Sequence, residues 1–281
     1  MAIFRALALA GLCWLAVPPW AATIAQDARL PLIDAHIHYS HDAAEAIPAK
    51  EAVAILRKAG LRRVLVSSSD DRGTQALLAE APDLIVPELR PYRKRSDVSG
   101  WAQDETILAY IEGLLAKNRY VGVGEFHVYG GDAELPVVRR VVALARQHNM
   151  FLHAHSDAAA IELLFKLDPQ ARILWAHSGF ERPEKVAEML AKHPKLLCDL
   201  AYRTDHAADG KVDPQWRKLF TDFPDRFMLG TDSFTPERWS YIGEHADFSR
   251  RWLADLPADL AERIAFKNAE MLIGDFKPGP R

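Results

Sequence analysis

The chain has 281 residues, with 35 Lys and Arg against 38 Asp and Glu and a formal net charge of −3. Such mild acidity argues against a nucleic-acid-binding surface, which shows as a strong basic excess. Two cysteines exclude a disulfide framework, and the length suits one α/β barrel or two small domains.

Residues 1–25 read as a secretory signal. MAIFR carries one positive charge, ALALAGLCWLAV is an apolar core, and Thr23-Ile24-Ala25 offers the small residues a signal peptidase reads. The apolar run is short for a bilayer span. The expected product is residues 26–281, exported to the periplasm or secreted, with no stable membrane anchor. Without Arg5 its balance is about −4, and Cys198 is its single cysteine.

Short β-branched and apolar runs then alternate with helical patterns. The runs are 30–38, 62–69, 83–92, 120–128, 150–156, 171–179, 195–203 and 225–233. Helical spacing marks 48–60, 105–118, 136–149, 157–167 and 182–193, several of them closed by Gly or Asn. Strand–helix alternation repeated eight times predicts a single-domain parallel (β/α)8 (TIM) barrel. The rival, an open doubly wound sheet, lacks its Gly-rich phosphate loop after the first strand.

The first run, LPLIDAHIH, places Asp34, His36 and His38 at alternate positions, on one face of a strand. Buried polar groups need partners, so the stretch is either a hydrogen-bonded strand or part of a metal site. Other metal-capable residues also fall late in their strands: Glu125 in the fourth, His153 and His155 in the fifth, His177 in the sixth and Asp232 in the eighth. In a parallel barrel these ends meet on one rim, where active sites lie. His148, His193, His206 and His245 fall on helices or loops and are expected to be ordinary core or surface residues.

The set resembles the amidohydrolase superfamily of metal-dependent hydrolases, in its amidohydrolase-related branch. The carrying motifs are IDAHIH, VGVGEFH, FLHAHS, ILWAHSG and LGTDS, with IAFKNAEMLIG similar to the closing helix of the family. The resemblance implies that His36 and His38 bind the more buried metal and that Asp232 shares it while accepting a proton. Glu125 would stand where relatives have a bridging carboxylate or carboxylated lysine, and His177 matches the sixth-strand ligand. For the fifth strand, NMFLH favours His153, with His155 nearer the rim as the second candidate.

Imidazole and carboxylate suit Zn²⁺ and similar divalent ions, one or two of them. A bound ion lowers the pKa of its water from about 16 to about 7. The expected activity is hydrolysis of an ester, lactone, amide or phosphoester bond in a small molecule, with Asp232 as proton acceptor. The alternatives are a zinc-dependent decarboxylase of the same branch, a metal-dependent deoxyribonuclease, and a barrel that binds without catalysis. Arg90, Tyr129, Tyr202 and Arg203 follow strands and are candidates for substrate binding. Oligomeric state is not readable from the residues.

Overall fold

The computed structural model describes residues 29–280; the signal segment 1–25 lies outside them. Eight parallel strands run in chain order around one sheet: β1 (Leu32–Ile37), β2 (Leu61–Ser67), β3 (Ile85–Leu89), β4 (Gly122–His127), β5 (Phe151–His155), β6 (Ile173–Trp175), β7 (Leu196–Asp199) and β8 (Phe227–Met228). The ends of this sheet meet. Ala35 N–H donates to Leu229 O at 2.9 Å, Asp232 N–H to His36 O at 2.7 Å and His38 N–H to Ser233 O at 2.9 Å. The strands thus form the nearly closed (β/α)8 barrel that the alternation predicts.

Several helices start where local chemistry demands. Pro136, Pro183, Pro214 and Pro236 open helices from the first turn, where the missing N–H costs nothing. Asp157 caps the helix Ala158–Leu167 by accepting from Ala160 N–H at 2.8 Å. The helices bury one face each against the outside of the sheet, in a cluster that includes Leu56, Leu77, Ile111, Val141, Ile161 and Met189. A second cluster fills the barrel interior: Ile33, Leu65, Val86, Phe151, Leu174 and Met228, plugged by Leu272 and Ile273 of the last helix. At ~1.5–3 kcal/mol for each large side chain fully buried, this plug makes the lower barrel a rigid base.

The last strands are shorter than their apolar runs suggest. β6 ends at Trp175 and the next residues turn, with His177, Ser178 and Gly179 at φ of 55°, 50° and 65°. Likewise β8 ends at Met228, and Asp232 takes φ 48°. The chain leaves the ladder there, and His177 and Asp232 are carried on turns rather than on strand backbone. Among the described residues no helix is long and apolar enough to cross a membrane.

Candidate active site

Six of the seven residues singled out by their strand-end positions come together at the C-terminal end of the barrel. Glu125 is the centre. Its Oε1 lies 2.8 Å from His155 Nδ1, 3.5 Å from His177 Nε2 and 3.6 Å from His36 Nε2. Its Oε2 lies 3.2 Å from His38 Nε2 and 2.6 Å from Arg90 Nη2. Asp232 Oδ1 stands 3.3 Å from His38 Nε2 and 3.6 Å from His36 Nε2, and its Oδ2 is 4.0 Å from His177 Nε2. The two histidines of β1 therefore face Asp232 and one side of Glu125, while His155 and His177 face the other.

The hydrogen bonds behind the rings decide what the front nitrogens can do. His38 Nδ1 faces Ser67 O at 2.8 Å, and His177 Nδ1 faces Ala201 O at 2.9 Å. A carbonyl only accepts, so both Nδ1 atoms carry the proton, and in the neutral rings each Nε2 is a lone pair. His36 Nδ1 donates to Asp199 Oδ2 at 3.2 Å, which turns its Nε2 forward too, 3.2 Å from His38 Nε2. Lone pairs and carboxylate oxygens converging in a buried space need a positive charge between them. Without one, burial would lower the His36 pKa, but Asp199, Glu125 and Asp232 outweigh it and hold the imidazole well above its ordinary value. The donor set fits divalent cations: His36, His38 and Asp232 form one group, and Glu125, His155 and His177 lie beside it.

His153, the residue favoured by the family-like approach NMFLH, is not turned to this space. Its Nδ1 meets Glu88 Oε2 at 3.0 Å and its Nε2 meets Asp199 Oδ2 at 3.1 Å, so both nitrogens are committed beneath the cluster. Geometry places His155 there instead. Asp34 also stands apart from its neighbours: its carboxylate accepts from Thr231 N–H and Oγ1 and from His36 N–H, tying β1 to the segment after β8. The register of β1 against β2 shifts between Asp34 and Ile37, which breaks the strict alternation.

Asp199 went unnoticed in the sequence. It is fully buried at the end of β7, and Oδ1 accepts from the backbone N–H groups of His177 at 2.9 Å and Ala201 at 3.0 Å. Burial alone would raise its pKa, but the His36 charge and hydrogen bonds from His153 and His36 hold it far below the usual carboxylate range. The signal was available in KLLCDLAYR: an acidic residue late in a strand run, as with Glu125. His127 was missed as well. Its ring stacks on His155 at 4.2 Å and takes part in a 3.0 Å hydrogen bond with Tyr92 Oη; burial pushes its pKa down to about 3.

The four substrate candidates divide. Arg90 lines the cavity, and two of its guanidinium nitrogens hold Glu125: Nη2 donates to Oε2 at 2.6 Å and Nε to the backbone O at 3.1 Å. Tyr202 lines the cavity and is half exposed. Arg203 is buried away from it, donating to His177 O, Glu181 O and Asp205, and so braces the turn that carries His177. Tyr129 lies on the rim, 6.1 Å from the His155 ring, outside the lining of the cavity. The cavity measures about 380 Å³ and opens above Glu125 and Asp232.

Fold and site together define a (β/α)8 barrel with an imidazole–carboxylate centre at the C-terminal ends of its strands. A sequence model of the amidohydrolase family matches residues 33–274, and the chain belongs to that family. Comparison with curated protein sequences gives no match. Among solved structures, a TIM-barrel protein of Bordetella bronchiseptica superposes with a TM-score of 0.56 at 14% identity, over 87% of this chain and 98% of that one. A candidate 2-pyrone-4,6-dicarboxylic acid hydrolase of Pseudomonas putida gives 0.54 at 17% identity, over 87% and 98%. The β-aspartyl dipeptidase of Fervidobacterium islandicum gives 0.53 at 16% identity, over 87% and 72%. At these identities the likeness is one of fold.

Proposed function

We propose that the protein is a divalent-metal-dependent hydrolase, zinc being the first candidate ion, that cleaves an ester, lactone, amide or phosphoester bond of a small molecule. The observation that carries this reading is the convergence of the forward nitrogens of His36, His38, His155 and His177 on Glu125, with Asp232 at the edge of the cavity. Bound divalent ions supply acidity to a water and polarise the substrate oxygen. Asp232 Oδ2, outside the short contacts to His36 and His38, would orient a water in the cavity, take its proton and pass it to the leaving group. Arg90 fixes Glu125 from behind, and the Asp199 hydrogen bond orients the His36 ring.

Glu125 at the centre of both histidine pairs argues for two ions and against a one-ion decarboxylase. The mild net charge supports a small-molecule substrate over nucleic acid. The same reading keeps residues 1–25 as an export signal and the mature protein outside the cytoplasm, a point that cell fractionation tests.

Metal content per chain, measured on protein purified without chelator, tests the proposal. Two equivalents are expected for wild type and about one for Glu125→Ala. One equivalent that survives the substitution would favour decarboxylation, and none in either protein would remove the metal reading.

A further inference from the structure

Three of the six large apolar side chains exposed among the described residues stand in the cavity wall: Phe180 (54% exposed), Tyr202 (49%) and Phe234 (38%). They come from the turns after β6, β7 and β8, so chain proximity alone does not gather them. Phe180 and Tyr202 also hold the left-handed backbone, at φ 53° and 59°. Bulky residues avoid that region because Cβ meets the backbone. Local conformation and solvation both oppose aromatic residues here.

The rings are held in place. Phe180 stacks on His177 at 4.6 Å and 17°, which sets it beside the nitrogens that face Glu125. Arg238 donates to Asp232 O at 2.8 Å and Thr231 O at 2.5 Å, and its guanidinium lies 4.2 Å from the Tyr202 ring centre and 5.7 Å from that of Phe234. The three rings pair with His177, His155 and Arg238, and all three line the cavity. The cavity is also lined from the turns after β1, β2 and β3 by Ser40, His41, Ser69 and Arg95, with Val98.

We propose that this wall is a subsite for a flat aromatic group, and that the substrate is a small aryl compound. Its ring would pack between Phe180, Tyr202 and Phe234, and its polar part would face Ser40, Ser69 and Arg95. The inference rests on the hydrolase reading for the reaction but on the wall alone for the ring. Aromatic rings gain from stacked or edge-on contact beyond the area they bury, so the wall selects a planar ring over a puckered one of similar size and charge.

The test is binding of benzoate and cyclohexanecarboxylate to the zinc-loaded protein and to the protein without added metal, by titration calorimetry. Both probes carry the same carboxylate, so their ratio isolates the ring. Benzoate is expected to bind about tenfold tighter, and Phe180→Leu and Tyr202→Leu each to cut that ratio about threefold while the cyclohexane affinity holds. Phe234→Leu, on a separate loop, gives an independent reading, and variants are compared at matched thermal midpoints. Equal affinities in wild type, no binding of either probe, or a ratio unmoved in all three variants would overturn the subsite. Parallel assays of aryl and cyclohexyl esters, lactones, amides and phosphoesters separate the two proposals. Benzoate selectivity with no turnover would remove the hydrolase and leave the subsite; equal turnover of both series without selectivity would do the reverse.

Discussion

Asp199 gathers four donors on two oxygens: His36 and His153 on Oδ2, and the His177 and Ala201 backbones on Oδ1. It orients His36 directly and fixes the turn that carries His177. Asp199→Asn keeps the shape but loses the charge and one acceptor. A ~10–100-fold loss of metal affinity is expected, as for other groups that hold a ligating histidine, measured by competition with a chelator at unchanged thermal stability of the metal-free protein. Unaltered affinity would mean that packing alone orients His36. Asp232→Asn tests a different role at the same scale. With metal content retained, kcat is expected to fall by ~10²–10⁴-fold; activity within a few-fold of wild type would assign proton transfer to another group.

Among the elements, the connection from β7 to β8 carries fourteen residues, 200–213, before its helix begins. It folds into a small antiparallel hairpin, Ala207–Ala208 with Lys211–Val212, before the helix Pro214–Asp222. Its anchor is His206, expected from its position to be an ordinary residue. The buried ring packs edge-on against Trp252 at 5.0 Å, Phe248 at 6.2 Å and Trp216 at 6.5 Å. Burial pushes its pKa from 6.5 down to about 4, with Asp205 opposing and His245 and Arg203 adding to the shift. The fold thus favours the neutral ring. The unfolded chain takes up the proton first, so stability is intact above about pH 6.5 and falls as pH drops towards 4. His206→Phe is expected to flatten that fall, changing the pH 7.5 to 4.5 difference in unfolding free energy by about 2 kcal/mol. Urea curves that fall in parallel for both proteins would reject it.

Across the whole molecule, closure depends on a strand of two residues. β8 is held by β7 on one side and, through the backbone bonds that follow it, by β1 on the other. The last helix adds a strap: buried Asn268 donates through Nδ2 to Phe227 O at 2.9 Å and to Pro224 O at 3.0 Å. Asn268→Ala leaves the buried Phe227 carbonyl and the partly buried Pro224 carbonyl without that donor, and a loss of ~1–3 kcal/mol is expected in urea unfolding. No loss would show that water replaces the amide.

The barrel was legible because it follows from local chemistry. Apolar runs alternate with helical spacing, parallel strands bring their C-terminal ends to one rim, and a polar residue late in a run must then face that rim. Asp232, Glu125, His36, His38 and His177 needed no more than this. His153 and His155 share a face of one strand, so period alone does not separate them. The register of β4 against β5 does: Gly124 pairs with His153 and His127 with His155, with a shift between them at Glu125. Gly124 takes φ +138°, and a Cβ there would meet His153 O at 2.1 Å. This register sets His153 beside the residue before Glu125, where its ring meets Glu88 and Asp199, and His155 beside His127, from where its ring reaches Glu125. Chain chemistry thus determined which elements form and which end of the barrel is reactive. Depth within that end, and with it the choice between ligand and support, came from strand register and from partners such as Asp199, because contacts between distant segments set them.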